Sequence, residues 1–350
     1  MRMYTGSIVK PWLSVKINSS PFMSNTIIAK PLVSIVIPTF NRAEFLKTAI
    51  DSVLSQTYSN FELLILDNNS TDHTQFVISS YSDSRIKSIR HLANIGGVSN
   101  WLYGMQWTKG EFFSVLGDDD FYRPDFIERR ISTFVDFPDA LSVFSDHDEC
   151  DENGQVSLCH AKTIGSGPIS LSGIDLLKTL DNNNRTWIIG SGLYRRDPIV
   201  QWWAECIHSG KAFDTAIQVL IACRGLAVYI PGKGLVYRRH FNQDSQSSNI
   251  TGILIGHVNA YIEPLVYFNN DQYAPELKMG ALWALNCLAT TAFYKGDRNQ
   301  AARIAGYSLH IAFWNINAWR IYALIYFPGF IIRFMRVIKR TFRALKINAY

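Results

Sequence analysis

An apolar stretch of strand length, Phe112-Phe113-Ser114-Val115-Leu116, runs into Gly117 and three consecutive carboxylates, Asp118-Asp119-Asp120. Adjacent like charges raise one another's energy, so a fold that keeps them together has to supply opposite charge. A hard divalent cation is the usual supplier, because it takes carboxylate oxygens as ligands. Open α/β sheets bind ligands just beyond the carboxyl ends of their strands, and a strand that delivers an acidic cluster there is a metal-site candidate. Taken alone, the triplet reads equally as an acidic turn on a solvated surface. The surrounding pattern has to decide.

That pattern begins at Pro31. Leu32–Ile37 is a β-branched run ended by Pro38, followed by the loop Thr39-Phe40-Asn41-Arg42. Apolar residues at helical spacing follow from Phe45 to Leu54. Phe61–Asp67 is a second strand, Asn68–Asp72 a turn and helix cap, and Arg85–Arg90 a third, short strand. Asn94–Gly97 is a loop and Val98–Thr108 is helical. Strand–helix alternation with short loops predicts a parallel sheet covered on both faces. Three strand ends would then meet at one rim: Pro38-Thr39, Asp67-Asn68-Asn69 and the acidic triplet. A hydroxyl, a lone Asp on an apolar strand and a metal-ready cluster could together hold a nucleoside diphosphate.

Beyond Pro124 the spacing predicts a helix over 125–136, a strand over 141–145 and a hairpin turn over 151–154. Ile169–Leu180 reads as helical, Trp187–Tyr194 as a buried strand, and Phe213–Cys223 as a helix stopped by Gly225. Leu226–Ile230 and Gly234–Arg238 read as two strands. Asp146, Asp148 and Asp151 are expected in loops and turns rather than in a second metal site, and Trp187, Trp202 and Trp203 are expected in the core before any role in stacking on a ligand. The remainder is helical, with Ala281–Lys295 and Asn299–His310 forming an antiparallel pair. The expected divisions are a loosely ordered extension over 1–30, an α/β domain over 31–245 and a helical region over 250–350. That domain divides near residue 125, into halves over 31–125 and 126–245.

Composition narrows the class. The chain is 47% hydrophobic and 18% charged, which excludes a disordered protein. Its net charge of +5 is unevenly spread, because Arg333, Arg336, Lys339, Arg340, Arg343 and Lys346 lie in a C-terminal segment without acidic residues. Ile331, Phe334, Met335, Ile338, Phe342 and Leu345 form the opposite face of that segment, the composition of an interfacial helix on an anionic membrane. A general nucleic-acid binder is not suggested. Five scattered cysteines without paired spacing read as reduced thiols. No secretory signal and no membrane-spanning run is apparent, so the expected location is cytoplasmic, peripheral on the inner face of the cell membrane.

In order, Ser34–Arg42, Leu64–Asp72, Asn94 and Gly96 with Asn100 ahead of Gly110, and Gly117–Asp120 followed by Pro124-Asp125 resemble family 2 of the inverting nucleotide-sugar glycosyltransferases. The resemblance covers about residues 31–240 and implies the GT-A fold, an α/β architecture with a Rossmann-like, mostly parallel sheet. It also implies that Pro38, Thr39, Asn41, Asn94 and Asn100 line the nucleotide-sugar pocket, that Asp67 contacts the base, and that Asp118 lies near the ribose. Asp119 would be the main ligand of Mg²⁺ or Mn²⁺, with Asp120 and His240 beside it. Asp214, eleven residues before Gly225, occupies the place of the family's general base. Phe213 replaces the Glu that usually precedes that base, and Gly117 replaces the first Asp of the acidic motif. Glu205 is the reserve candidate for the base.

The resulting expectation is an inverting, metal-dependent glycosyltransferase. It would move a sugar from a UDP-, dTDP- or GDP-linked donor to a glycan or lipid-linked acceptor in bacterial surface polysaccharide assembly, of the O-antigen or capsule type. A nucleotidyltransferase is the first alternative, but it would want a Gly-rich loop after the first strand, and Pro38–Arg42 has no glycine. A sugar-nucleotide-binding module without catalysis is the second.

Overall fold

The computed structural model describes residues 30–157, 165–181, 188–202, 212–241, 250–268 and 274–326. The first half alternates strand and helix: β1 (Val33–Thr39), α1 (Ala43–Leu54), β2 (Phe61–Asp67), α2 (Thr74–Ser79), β3 (Ile86–Arg90), α3 (Gly97–Met105) and β4 (Phe112–Val115). β1 lies between β2 and β4 and is parallel to both, and β3 adds in parallel outside β2. Val33, Ile35, Val36 and Ile37 of β1 are fully buried. Ile35 and Ile37 pack on Leu46 and Ile50 of α1, whereas Val36 packs with Trp101 and Met105 of α3 on the other face. That two-sided burial is why the strand reads as a continuous apolar run.

The second half is mixed. It comprises β5 (Phe121–Tyr122), α4 (Phe126–Asp136), β6 (Ala140–Cys150), β7 (Val156–Ser157), β8 (Ile169–Ser172), α5 (Gly173–Asp181), β9 (Gly192–Arg195), α6 (Arg196–Trp202), α7 (Phe213–Arg224) and β10 (Leu226–Arg238). The sheet order is β3-β2-β1-β4-β9-β6-β10-β5, with β7 on β6 and β8 on β10. β9 is antiparallel to both β4 and β6 and joins the two halves. β6 and β10 are parallel.

Three local expectations are corrected. Ile169–Ser172 is a strand, because it meets Leu226–Tyr229 in an antiparallel ladder, and helix α5 begins only at Gly173. The two strands expected over 226–238 are one strand, whose register shifts around Ile230–Lys233 take up the break at Pro231-Gly232. β6 continues five residues past Ser145, so Asp146 and Asp148 are buried strand residues, not loop residues. Their burial is tolerated because each has partners: Tyr229 Oη donates to Asp146 Oδ2 at 2.6 Å, while Lys233 Nζ and Arg123 Nη2 lie 2.6 and 2.9 Å from the Asp148 oxygens.

Four helices follow: α8 (Ile250–Phe268), α9 (Ala274–Tyr294), α10 (Arg298–Ile311) and α11 (Ile316–Tyr326). Ala260 and Tyr261 of α8 and Leu277 and Ala281 of α9 join the core beneath α5 and α7, so these helices pack on the sheet domain. Gly280 admits the Tyr261 ring, which a Cβ there would meet at 2.4 Å. The α9–α10 pair turns at Gly296 (φ 88°), and Asp297 caps α10 by accepting from Gln300 N at 2.9 Å. Among the described residues no helix is long and apolar enough to cross a membrane. Residues 1–29, Trp187, Trp203, Glu205, the Trp202 side chain and the basic segment 331–350 lie outside the described residues.

Candidate active site

Backbone register sets the rim. Thr39 is the direct ladder partner of Asp67, and Asn68 N donates to Thr39 O at 2.9 Å. Leu116 N donates to Val36 O at 2.9 Å, so the Gly117–Asp120 loop leaves the sheet at the same edge. The carboxyl ends of β1, β2 and β4 therefore bring Pro38, Thr39, Asp67 and the acidic triplet to one side of the molecule, as the strand pattern implied.

Asp67 is fully buried. Its Oδ1 accepts from Ser70 N at 2.8 Å and its Oδ2 from Gln75 Nε2 at 2.5 Å, with Arg90 Nε 3.5 Å away. Asn41 and Asn69 adopt left-handed backbones (φ 53° and 66°), which asparagine tolerates better than most side chains. Asn41 ties the two loops together, accepting from Thr71 N at 2.7 Å while its own N–H donates to Ser70 Oγ at 2.9 Å. Asn94 Oδ1 accepts from Asn68 Nδ2 at 2.9 Å and from Gly96 N at 2.8 Å. Asn100 Nδ2 donates to Leu66 O at 2.9 Å. The described bonds of these three asparagines run to the protein's own loops and to the end of β2, and they brace the rim.

The acidic loop closes on itself, with Asp120 N donating to Gly117 O at 3.1 Å. All three carboxylates are buried. One nitrogen of Arg42, Nη1, donates to Asp118 Oδ1 at 3.0 Å and to Asp119 Oδ2 at 2.7 Å. His240 Nε2 also lies 2.9 Å from Asp119 Oδ2, and its ring packs on Phe45 at 4.9 Å between centroids. Asp120 Oδ1 instead accepts from Arg238 N at 2.9 Å. The Arg238 side chain donates from Nε to Asp119 O at 2.8 Å and from Nη1 to Glu152 O at 2.8 Å, and its guanidinium lies over the Phe45 ring. Thus the start of α1, the β4–β5 loop and the end of β10 converge on Asp119. Gly117 makes room for this: a Cβ there would stand 2.8 Å from Asp119 Oδ1 and 3.1 Å from Asp120 Oδ2.

Burial, with the neighbouring Asp119 charge, lifts the Asp118 carboxyl to about 6 against the pull of Arg42. Burial and the same neighbour push Asp120 well above the ordinary carboxylate range, although Arg238 opposes them. Among the described residues no three His, Cys, Asp or Glu side chains form a ready cage for a metal ion. Asp119 and His240 nevertheless offer a carboxylate oxygen and an imidazole nitrogen side by side. That half-site fits an Mg²⁺- or Mn²⁺-type ion, which typically takes one or two carboxylates and fills its shell with substrate phosphates and water.

Asp214 lies half-buried in the first turn of α7, one residue past Phe213 and two past the N-cap position, Ala212. Its Oδ1 accepts from Thr215 N at 2.7 Å. Two residues of the site were not singled out from the sequence, Arg42 and Arg238. Each sits inside a stretch that was noticed, but their partners lie 76 and 119 residues away. Asp146 was visible, but only as a loop residue.

The family model for glycosyl transferase family 2 matches residues 34–230. The chain belongs to that family. An uncharacterized glycosyltransferase of Rickettsia felis is 38% identical over 154 residues, 43% of this chain and 25% of that protein. The UDP-Glc:alpha-D-GlcNAc-diphosphoundecaprenol beta-1,3-glucosyltransferase WfgD of Escherichia coli is 37% identical over 104 residues, 30% of this chain and 41% of that protein. The matches thus span 25% and 41% of the length of these relatives. Among solved structures, S. aureus TarS in complex with UDP superposes with a TM-score of 0.58 at 14% identity, covering 80% of each chain. A Pyrobaculum calidifontis mannosyltransferase in complex with GDP-Man and Mn²⁺ gives 0.51 at 15% identity, covering 85% of this chain and 84% of that one. At such identities the likeness concerns the fold, which is GT-A with C-terminal helices, as the family resemblance implied.

Proposed function

We propose that this family 2 protein is an inverting glycosyltransferase that uses a nucleotide-sugar donor. The observation that carries the reading is the convergence on Asp119 of Arg42, His240 and the Arg238 side chain, at the rim that also holds Thr39 and Asp67. A diphosphate is the ligand such a corner suits, because cationic side chains and a metal half-site face one edge. Asp67 would take the base and Asp118 the ribose, while Pro38 and Thr39 form the floor and Asn41, Asn94 and Asn100 hold the loops in shape. In this division residues 31–125 hold the donor, 126–245 receive the acceptor, and 250–350 form the helical extension.

In the reaction an acceptor hydroxyl attacks the anomeric carbon on the face opposite the diphosphate. The new C–O bond forms as the bond to the phosphate oxygen breaks, and the diphosphate leaves with the electron pair. Asp214 takes the hydroxyl proton. Arg42 and Arg238 lower the cost of charge building on the diphosphate. A divalent ion held by Asp119, His240 and in part Asp120 would supply further positive charge to the leaving group when bound.

The Escherichia coli relative acts, by its name, on a diphosphoundecaprenol-linked sugar, and this supports a lipid-linked acceptor and a peripheral place on the cytoplasmic face of the membrane. The basic tail supports the same location. A thermal-shift panel of UDP-, dTDP- and GDP-sugars with and without Mn²⁺ tests the reading, since a donor at about 100 times its Kd adds about 2.7 kcal/mol of stability. One donor that raises Tm in a Mn²⁺-dependent way is expected. No shift with any donor would contradict the reading.

A further inference from the structure

The last acidic residue of the chain is Asp297. From Arg298 to Tyr350 there are nine Lys and Arg and no Asp or Glu, whereas the preceding residues carry 25 basic against 29 acidic, a net −4. Charge is therefore polarised along the chain, and the division falls at the α9–α10 turn. The structure describes this basic segment through Tyr326.

The described part presents a row of rings to solvent. Phe313 is 63% exposed, Trp314 86%, Ile316 79% and Trp319 45%, all at the corner between α10 and α11. The rings are continuous: Trp314 lies 6.3 Å from Phe313, Phe313 5.4 Å from Trp319, Trp319 6.1 Å from Tyr322 and Tyr322 5.8 Å from Tyr326. Trp319 Nε1 donates to Phe313 O at 2.8 Å, which ties the loop to the helix. Arg320 is exposed beside it, and the basic residues that begin at Arg333 come seven positions after Tyr326 in the sequence. A contiguous apolar ridge of this kind marks an interaction surface.

We propose that the Phe313–Tyr326 ridge docks on an anionic lipid bilayer, with Trp314 and Trp319 at headgroup depth and the acid-free segment supplying the charge attraction. Tryptophan and tyrosine are the residues that settle at that depth, where one edge of the ring is apolar and the other can hydrogen-bond. A second copy of the chain is a poorer occupant, because a basic segment without acidic residues would meet its own like. A nucleic acid would have to lie along an acidic catalytic domain. The inference deepens the proposed lipid-linked acceptor by bringing the protein to the surface where such an acceptor resides. Vesicle binding is measured without donor or acceptor, so its failure is separable from failure of the glycosyltransferase reading.

The test is co-sedimentation of the full chain with phosphatidylglycerol–phosphatidylcholine vesicles and with phosphatidylcholine alone, at low and high salt. Binding to the anionic vesicles only, weakened by salt, is expected. Trp314→Ser with Ile316→Ser should reduce partition roughly tenfold. Phe76→Ser, at an exposed position on α2, should leave it unchanged. Tryptophan quenching by brominated lipid in the wild type should be lost in part with Trp314→Ser, and circular dichroism checks that the variants stay folded. Equal binding to neutral vesicles, unchanged partition of the ridge variant, or displacement of vesicles by single-stranded RNA at equal charge would each overturn the proposal.

Discussion

Arg42 Nη1 stands 2.7 Å from Asp119 Oδ2 and 3.0 Å from Asp118 Oδ1, so a single guanidinium nitrogen serves two adjacent buried carboxylates. On the proposed reading a divalent cation would share the Asp119 oxygen with it. Arg42→Ala should destabilise the protein by about 1–3 kcal/mol, because buried charged groups lose their partner. Added Mn²⁺ should restore more stability to Arg42→Ala than to the wild type, since the ion no longer competes with the guanidinium for Asp119. Thermal melts with and without Mn²⁺ measure both effects. An identical Mn²⁺ response in the two proteins would mean that Arg42 and the ion do not share Asp119.

Gly117→Ala tests the space beneath the acidic loop. The added methyl would stand 2.8 Å from Asp119 Oδ1 and 3.1 Å from Asp120 Oδ2, against buried carboxylates that Arg42, His240 and the Arg238 N–H hold. Shifting them strains those bonds, so stability should fall by about 1–3 kcal/mol. The donor- and Mn²⁺-dependent rise in Tm should shrink markedly, because the displaced oxygens are those proposed to bind. A full ligand shift in Gly117→Ala would remove Asp119 and Asp120 from the metal half-site.

Gly110→Ala is the opposite case. Its Cβ would lie 2.6–2.7 Å from Phe112 O, Leu32 O and Ser34 N, all backbone of the central strands. Backbone in a paired sheet cannot give way, so a loss of at least about 2–3 kcal/mol is expected, read by urea denaturation.

Glu62 gives the pH dependence of stability. Burial raises its carboxyl, but hydrogen bonds from Lys87 and Ser34 and from the Lys109 N–H outweigh that and hold it below its ordinary 4.5. A carboxyl depressed in the folded state adds stability that is fully present above its unfolded value and is lost as pH falls through the folded one. Glu62→Gln should therefore cost about 1–3 kcal/mol near neutral pH. It should also flatten the fall in stability below about pH 4.5, which denaturation at stepped pH would reveal. A wild-type profile identical to that of Glu62→Gln would contradict the assignment.

How much was legible follows from where each residue's partners lie. The first half could be read because β1, β2 and β4 are buried on both faces, which leaves continuous apolar runs with polar ends. The second half could not, because its strands are defined by distant partners. Ile169–Ser172 becomes a strand only where β10 meets it, and β6 keeps its polar second half in the sheet because Tyr229, Lys233 and Arg123 satisfy Asp146 and Asp148. In the site, Asp67 and the acidic triplet announced themselves as carboxylates at strand ends. Arg42 and Arg238 did not, since nothing in local spacing marks an arginine whose partner is 76 or more residues away.

The most direct test of the central claim is donor cleavage by the purified protein, using the nucleotide sugar that stabilises it. Wild type, Asp119→Asn and Asp214→Asn are compared with and without acceptor. Asp119→Asn should lose both hydrolysis and transfer, by a factor of at least about 10², together with its Mn²⁺ response. Asp214→Asn should still bind the donor but lose transfer to the acceptor. Equal rates in all three proteins would contradict the account.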